Sequence, residues 1–201
     1  MAGEKLTWTE ANRRYQLEQY LTHYHEDQQV VVHEAGEVLE GDLGLDAGEA
    51  HFVPGDLEVK GNVLARGDEC GFLVVLGTCR AKNLISGGPD IYIHRDLIVS
   101  NGVVADYNHG VLTVGGSLSA RTVAAEHETI VRGTIRAKET IDFGGFRVDD
   151  PAFKADISHQ QATREARKVF VPEVLNSQGY VTGSALIDRV LDGEPLLLSS
   201  T

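Results

Sequence analysis

The stretch Gly55-Asp56-Leu57-Glu58-Val59-Lys60-Gly61-Asn62-Val63 combines a small turn with apolar residues at alternate positions. The same combination recurs along the middle of the chain, around anchor residues spaced 14 to 22 apart. The anchors are Leu43, Leu57, Cys79, Leu97, Leu118 and Ile135. Glycine stands two residues before five of the six anchors, and the residues two after and four before each anchor are all apolar. This alternation predicts short strands separated by turns.

Short strands that recur at this interval are typical of a solenoid, in which each coil buries its inner side chains only against its neighbours. We therefore predict an all-β core built as a parallel β-helix (β-solenoid) of about five to six coils. The alternative is a β-sandwich, whose hairpins favour Asn-Gly turns at regular positions. Asn101-Gly102 is the only Asn-Gly pair in the chain, which favours the solenoid.

The two ends of the chain do not share the repeat. A capping-box pattern and apolar residues at helical spacing predict one helix over residues 7–25. Similar signals predict helices over residues 158–169 and 184–192. We expect both ends to cover the open ends of the solenoid as caps, because exposed strand edges invite aggregation. The predicted parts of this single compact domain are an N-terminal capping helix (1–29), the β-helix (30–146) and a C-terminal helical cap (147–201).

The chain carries 18 basic and 30 acidic residues, a formal net charge of −12. An acidic chain repels phosphate backbones and anionic lipids, so we expect neither nucleic-acid nor membrane binding. Residues 30–67 hold half of the net charge, which indicates either a solvated face that keeps the protein soluble or a docking patch for a basic protein. A polar loop around residue 109 is a second candidate, since solenoids place binding sites on loops. The candidate partner-binding residues are Glu37, Glu40, Asp42, Glu49, Asp106, Tyr107, Asn108 and His109.

The two cysteines, Cys70 and Cys79, match no metal-binding or redox spacing. Cys79 falls on an anchor and is predicted to be buried, whereas Cys70 lies in a predicted loop. The N-terminus has no signal-peptide pattern, and the apolar runs are too short for a membrane span. We therefore expect a cytoplasmic protein.

No known catalytic motif occurs in the chain, and we expect no enzymatic activity and no cofactor. Asp90, Asp96 and Asp106 stand at unlike positions relative to the anchor, so they do not form the stacked carboxylates of sugar-cleaving β-helices. His23 and His25 lack a third ligand at a defined spacing, so no metal site is predicted. The solenoid histidines are equally irregular in position: His94, His109 and His127.

The repeats over roughly residues 38–145 resemble those of bactofilins, the polymer-forming bacterial cytoskeletal proteins. Three segments carry the resemblance: 55–63 (GDLEVKGNV), 95–99 (RDLIV) and 116–120 (GSLSA). Membership would imply a non-enzymatic scaffold that stacks end to end without nucleotide. Bactofilin cores usually have short disordered tails, whereas both ends of this chain are predicted to fold as caps, which would block polymerisation.

Three hypotheses on function follow. The first is a non-enzymatic solenoid that binds a protein partner or associates with itself as a scaffold. The second is an acidic immunity or inhibitor protein that neutralises a basic bacterial toxin, because complementary charge speeds association. The third is a β-helix that binds or cleaves carbohydrate.

Overall fold

The chain forms a parallel β-solenoid with three sheets, which confirms the predicted fold class. The structure is a computed structural model. The residues that it describes are 3–45, 50–66, 71–106 and 109–198. Five of the six predicted anchors pair in register in one column of a single sheet: Leu57, Cys79, Leu97, Leu118 and Ile135.

The three sheets form the walls of the solenoid, and we call them sheets A, B and C. Sheet A contains β1 (Glu4–Thr7), β2 (Gln29–Val32), β5 (Ala50–Val53), β8 (Phe72–Val75), β11 (Asp90–Ile93), β14 (Leu112–Val114), β17 (Thr129–Val131) and β20 (Phe146–Val148). Sheet B contains β3 (Glu37–Leu39), β6 (Leu57–Val59), β9 (Cys79–Ala81), β12 (Leu97–Val99), β15 (Leu118–Ser119) and β18 (Ile135–Arg136). Sheet C contains β4 (Leu43–Gly44), β7 (Asn62–Ala65), β10 (Asn83–Ser86), β13 (Gly102–Ala105), β16 (Thr122–Ala125) and β19 (Glu139–Asp142). Neighbouring strands are parallel, except that β1 pairs antiparallel with β2.

Alternate side chains of each strand fill the interior of the solenoid. Leu73 of β8 is fully buried and pairs with Ile91 of the next coil, whereas its neighbours Phe72 and Val74 point outward. Full burial of one such aliphatic side chain stabilises the fold by about 1.5–3 kcal/mol. Cys79 is buried in this interior as predicted, and burial raises the pKa of its thiol to about 12. Cys70 lies outside the described residues.

The turns between sheets A and B explain the small residues that precede the anchors. The Asp56 carboxylate accepts a hydrogen bond from the Thr78 backbone N–H at 2.8 Å, and Asp96 accepts one from the Ser117 N–H at 2.7 Å. A Cβ at Gly77 would collide with the Asp56 carboxylate. Glycine therefore lets the next coil approach closely enough for this bond to form.

The first coil, formed by β2, β3 and β4, departs from the predicted alignment. Leu43 pairs with Val63 in sheet C, so its prediction as the first anchor was wrong. The residue that pairs with Leu57 in sheet B is Glu37. A charged residue at the anchor position had hidden the first repeat.

The N-terminal helix is shorter than predicted. Helix α1 spans Trp8–Tyr15 and begins with the predicted capping box, in which Thr7 and Glu10 bond each other's backbone N–H. Gln16 then adopts a left-handed conformation with φ of 55°, which ends the helix, and a 3₁₀ turn follows over Leu17–Tyr20.

This N-terminal segment lies on the outer face of sheet A. Trp8 packs edge-on against the outward-facing Phe72, with ring centroids 5.8 Å apart. Further along, the buried Asp90 carboxylate accepts hydrogen bonds from the backbone N–H groups of Thr22, at 2.7 Å, and His23, at 2.8 Å. The segment therefore covers the large apolar side chains on the outer face of sheet A, while β1, which pairs with β2 of the first coil, adds a strand at that end of the sheet.

The C-terminal segment lies on the outer face of sheet C in the same way. Its helices are α2 (His159–Arg164), α3 (Ala166–Val169) and α4 (Gly183–Asp192), with a 3₁₀ turn over Pro172–Val174. The predicted helix over 158–169 is thus interrupted at Glu165, while that over 184–192 is confirmed. Leu186 and Val190 of α4 pack with the outward-facing Ile85 and Val104 of sheet C. The segment also extends the edge of sheet C, where Ile157 forms a parallel bridge with Ile141 of β19.

The terminal segments thus pack on the outer faces of sheets A and C. In the part of the chain that the structure describes, sheet A has eight strands and sheet B has six, so sheet A extends one strand beyond sheet B at each end. Within the described residues, β3 and β18 are the edge strands of sheet B.

Candidate protein-binding surface

The first coil carries the acidic residues that the sequence singled out. Glu37 occupies an inward register position of β3 and is half-buried, while Glu40 and Asp42 are exposed in the turn between β3 and β4. The Asp42 carboxylate also accepts a hydrogen bond from the Asn62 backbone N–H at 2.7 Å, so it contributes to the turn. Glu49 lies outside the described residues. Residues 30–45 hold four carboxylates and no Lys or Arg.

Strand β3 exposes both backbone and an apolar side chain at this acidic edge. The Lys60 N–H donates to the Leu39 carbonyl oxygen at 2.8 Å, so Leu39 bonds toward the second coil. Because successive residues of a strand alternate, Val38 directs its N–H and C=O toward the open edge. Its side chain is 45% exposed. The edge can therefore accept a strand from a partner.

Two buried histidines lie beneath this edge, and the sequence analysis missed them. His33 Nε2 is 2.9 Å from His51 Nδ1. Burial, and then the neighbouring His33, lower the pKa of His51 to about 4. Burial also lowers the pKa of His33, against the opposing charge of Glu37. The pair is therefore neutral near neutral pH. The signal for it in the sequence was His51, a polar residue at the register position that Leu73 occupies in the next coil.

The second predicted contact is described at two of its residues, Asp106 and His109, and these lie at a different corner of the solenoid. They stand between β13 of sheet C and β14 of sheet A, whereas Glu40 and Asp42 lie between sheets B and C. Asp106 is half-buried and His109 is exposed, while Tyr107 and Asn108 are outside the described residues. As far as their residues are described, the two sets do not form one surface.

Two of the other histidines singled out in the sequence, His127 and His23, make hydrogen-bond contacts within the protein. His127 Nε2 lies 3.0 Å from Ser86 Oγ, and His127 Nδ1 lies 3.2 Å from the Glu128 carbonyl oxygen. Burial lowers the pKa of His127, although its contacts with the backbone carbonyl oxygens of Glu128 and Ser86 oppose this. His23 Nδ1 is 3.2 Å from the Asp90 carboxylate. Across the part of the chain that the structure describes, no three His, Cys, Asp or Glu side chains are grouped for metal binding.

Comparison with protein-family models, with curated proteins and with solved structures finds no match for this chain. The likeness to bactofilins therefore rests on the repeat pattern alone. Among the described residues, no helix has the length and apolar character needed to cross a membrane.

Proposed function

We propose that this protein is a non-enzymatic β-solenoid that binds a basic protein partner at its first coil. The observation that carries the proposal is the open edge of β3, with the exposed Val38 at its centre and carboxylates on either side. A partner strand with basic side chains would satisfy both the backbone and the charge of this edge. A basic partner also agrees with the acidic-inhibitor hypothesis.

The unequal lengths of the sheets favour a partner strand over end-to-end stacking of identical copies. At each end, sheet A extends one strand, about 4.8 Å, beyond sheet B. A second copy stacked on that end would meet the edge of sheet A before it reached the edge of sheet B. Continuous pairing of all three sheets between copies is therefore disfavoured, whereas one added strand fits the recessed edge.

The proposal is tested with an extended peptide of alternating lysine and valine, titrated by calorimetry. We expect saturable binding that weakens with added salt, because exposed charges are screened. Val38→Pro removes the N–H at the open edge without changing charge, and Glu40→Lys reverses one charge. Both should weaken binding, whereas Glu173→Lys, a charge reversal on the C-terminal segment, should weaken it much less.

Circular dichroism and thermal unfolding establish that each variant keeps its fold. Equal losses in Glu40→Lys and Glu173→Lys would show attraction by net charge alone. Unchanged binding in a folded Val38→Pro protein would show that the edge of β3 is not the contact. Either result overturns the proposal.

A further inference from the structure

Charges of opposite sign are segregated on the central coils of the solenoid. The basic side chains between residues 71 and 146 all lie on sheet B or in the turns that flank it: Arg80, Lys82, Arg95, Arg121, Arg132, Arg136 and Lys138. The described acidic side chains of the same range lie on sheets A and C or between these two sheets, with Asp96 as the single exception. Sheet B therefore carries a basic outer surface on a chain whose net charge is −12.

The outward side chains of sheet B form one column along the solenoid axis. Arg80, Ile98, Ser119 and Arg136 pair in register on four successive coils. At a strand spacing of about 4.8 Å, the backbones of Arg80 and Arg136 are about 14 Å apart. The partly exposed Ile98 and Ser119 lie between these two exposed arginines. The column thus presents a cation at each end and an apolar side chain near its centre.

The cations of this surface are not neutralised within the protein. Glu58, which pairs in register with Arg80, forms an ion pair with Lys60 instead. The Asp96 carboxylate accepts the hydrogen bond from the Ser117 N–H. Five exposed basic residues of this surface form no ion pair among the described residues: Arg80, Lys82, Arg95, Arg136 and Lys138. Their charge is therefore available to a partner.

We propose that the outer face of sheet B binds a short acidic segment of a partner protein. Its carboxylates would contact Arg80 and Arg136, and an apolar side chain between them would cover Ile98. An extended chain rises about 3.3 Å per residue, so carboxylates about four residues apart span the column and lie on one face of the segment. Arginine suits this contact because its guanidinium group donates two parallel hydrogen bonds to one carboxylate.

The acidic first coil favours a short segment over a long polyanion. Strand β3, which Glu40 and Asp42 follow, lies two strand spacings, about 10 Å, from β9 in the same sheet. A nucleic acid or an anionic membrane would extend over these carboxylates and be repelled, whereas a short segment need not reach them. The described column from Arg80 to Arg136 also offers no aromatic ring on which a base could stack. This surface is separate from the edge of β3 and does not depend on the function proposed for that edge.

The test uses the full chain and the peptide Glu-Ser-Leu-Ser-Glu with blocked termini. Titration followed by NMR should give saturable shifts of the backbone amide signals of residues 98 and 119, and added salt should weaken the affinity. Each lost contact with an exposed charge weakens binding about two- to fivefold, so Arg80→Gln combined with Arg136→Gln should weaken it about tenfold. The matched control combines Lys154→Gln with Arg164→Gln, which removes the same charge from exposed positions on the C-terminal segment. It should change the affinity little.

The peptide Gln-Ser-Leu-Ser-Gln should not bind, and equal affinity for it would show an apolar contact without charge recognition. Equal affinity for Ser-Glu-Glu-Leu-Ser would show that the spacing of the arginines is not recognised. Equal losses in the two double variants would show attraction by net charge alone. Tighter binding of a thymidine oligonucleotide at the same amides would assign the surface to nucleic acid. Absence of saturable shifts with the unmodified protein would remove the surface altogether. Each of these outcomes overturns the proposal. Glu40→Lys should not weaken this binding, which separates the test from that of the edge of β3.

Discussion

The buried pair of His33 and His51 predicts that the protein loses stability in mild acid. In the folded protein the pKa of His51 is about 4, whereas in the unfolded chain it returns to about 6.5. The unfolded state therefore binds a proton more readily as the pH falls. The stability that depends on neutral His51 is fully present above about pH 6.5 and decreases as the pH falls toward 4.

The size of the effect follows from this difference in pKa. At about 1.36 kcal/mol per pKa unit, the complete loss is about 3 kcal/mol. About 2 kcal/mol of it should be lost between neutral pH and about pH 5. Such a loss is a large fraction of the stability of a typical domain.

The matched variant is His51→Leu, which places a leucine in register with Leu73 and removes the titrating group. Urea-induced unfolding followed by Trp8 fluorescence, at several pH values, gives the free energy of unfolding of both proteins. We expect the unmodified protein to lose about 2 kcal/mol more than the variant on acidification to about pH 5. Parallel curves for the unmodified protein and His51→Leu would refute the reasoning.

Three further predictions concern the solenoid and its N-terminal helix. Leu97→Ala should lower the free energy of unfolding by about 2–5 kcal/mol in urea titrations, because Leu97 is fully buried between coils; a loss below about 1 kcal/mol would contradict the stacked interior. Asp96→Ala should cost about 1 kcal/mol in the same assay, since the Ser117 N–H loses its acceptor; no loss would mean that water replaces the carboxylate without penalty. Gln16→Gly should raise the midpoint of thermal unfolding, with a gain of up to about 1 kcal/mol, because glycine adopts the left-handed conformation without strain; a lower midpoint would show that the Gln16 side chain contributes more than its backbone costs.

The interior of the solenoid could be predicted because its pattern is local. Each coil places an apolar residue in register with Leu57 and a small turn residue just before it. Both residue types recur in the sequence at fixed distances from the anchor, so the pattern can be recognised. The first coil escaped detection because Glu37 stands where an apolar residue was expected. At an end of the stack a side chain has a neighbour on one side only, so a charge is tolerated there.

The placement of the terminal segments could not be predicted from periodicity. An amphipathic helix shows that it must cover an apolar surface, but it does not show which one. The deciding residues, such as Phe72 and Val104, lie on the outward side of strands whose inward side is apolar as well. The cleft of about 290 Å³ between sheet C and the C-terminal segment was missed for the same reason, because it forms only where that segment packs on the sheet.

The hydrogen bonds from Thr22 and His23 to Asp90 affect how the solenoid unfolds. In a solenoid without terminal segments each coil contacts only its neighbours, so the array can unfold locally from either end. Here residues near the start of the chain are tied to the middle of the stack. His127 and Ser86 likewise join segments 41 positions apart. We therefore expect these long-range hydrogen bonds to make unfolding more cooperative, because loss of the N-terminal segment also removes contacts to the central coils.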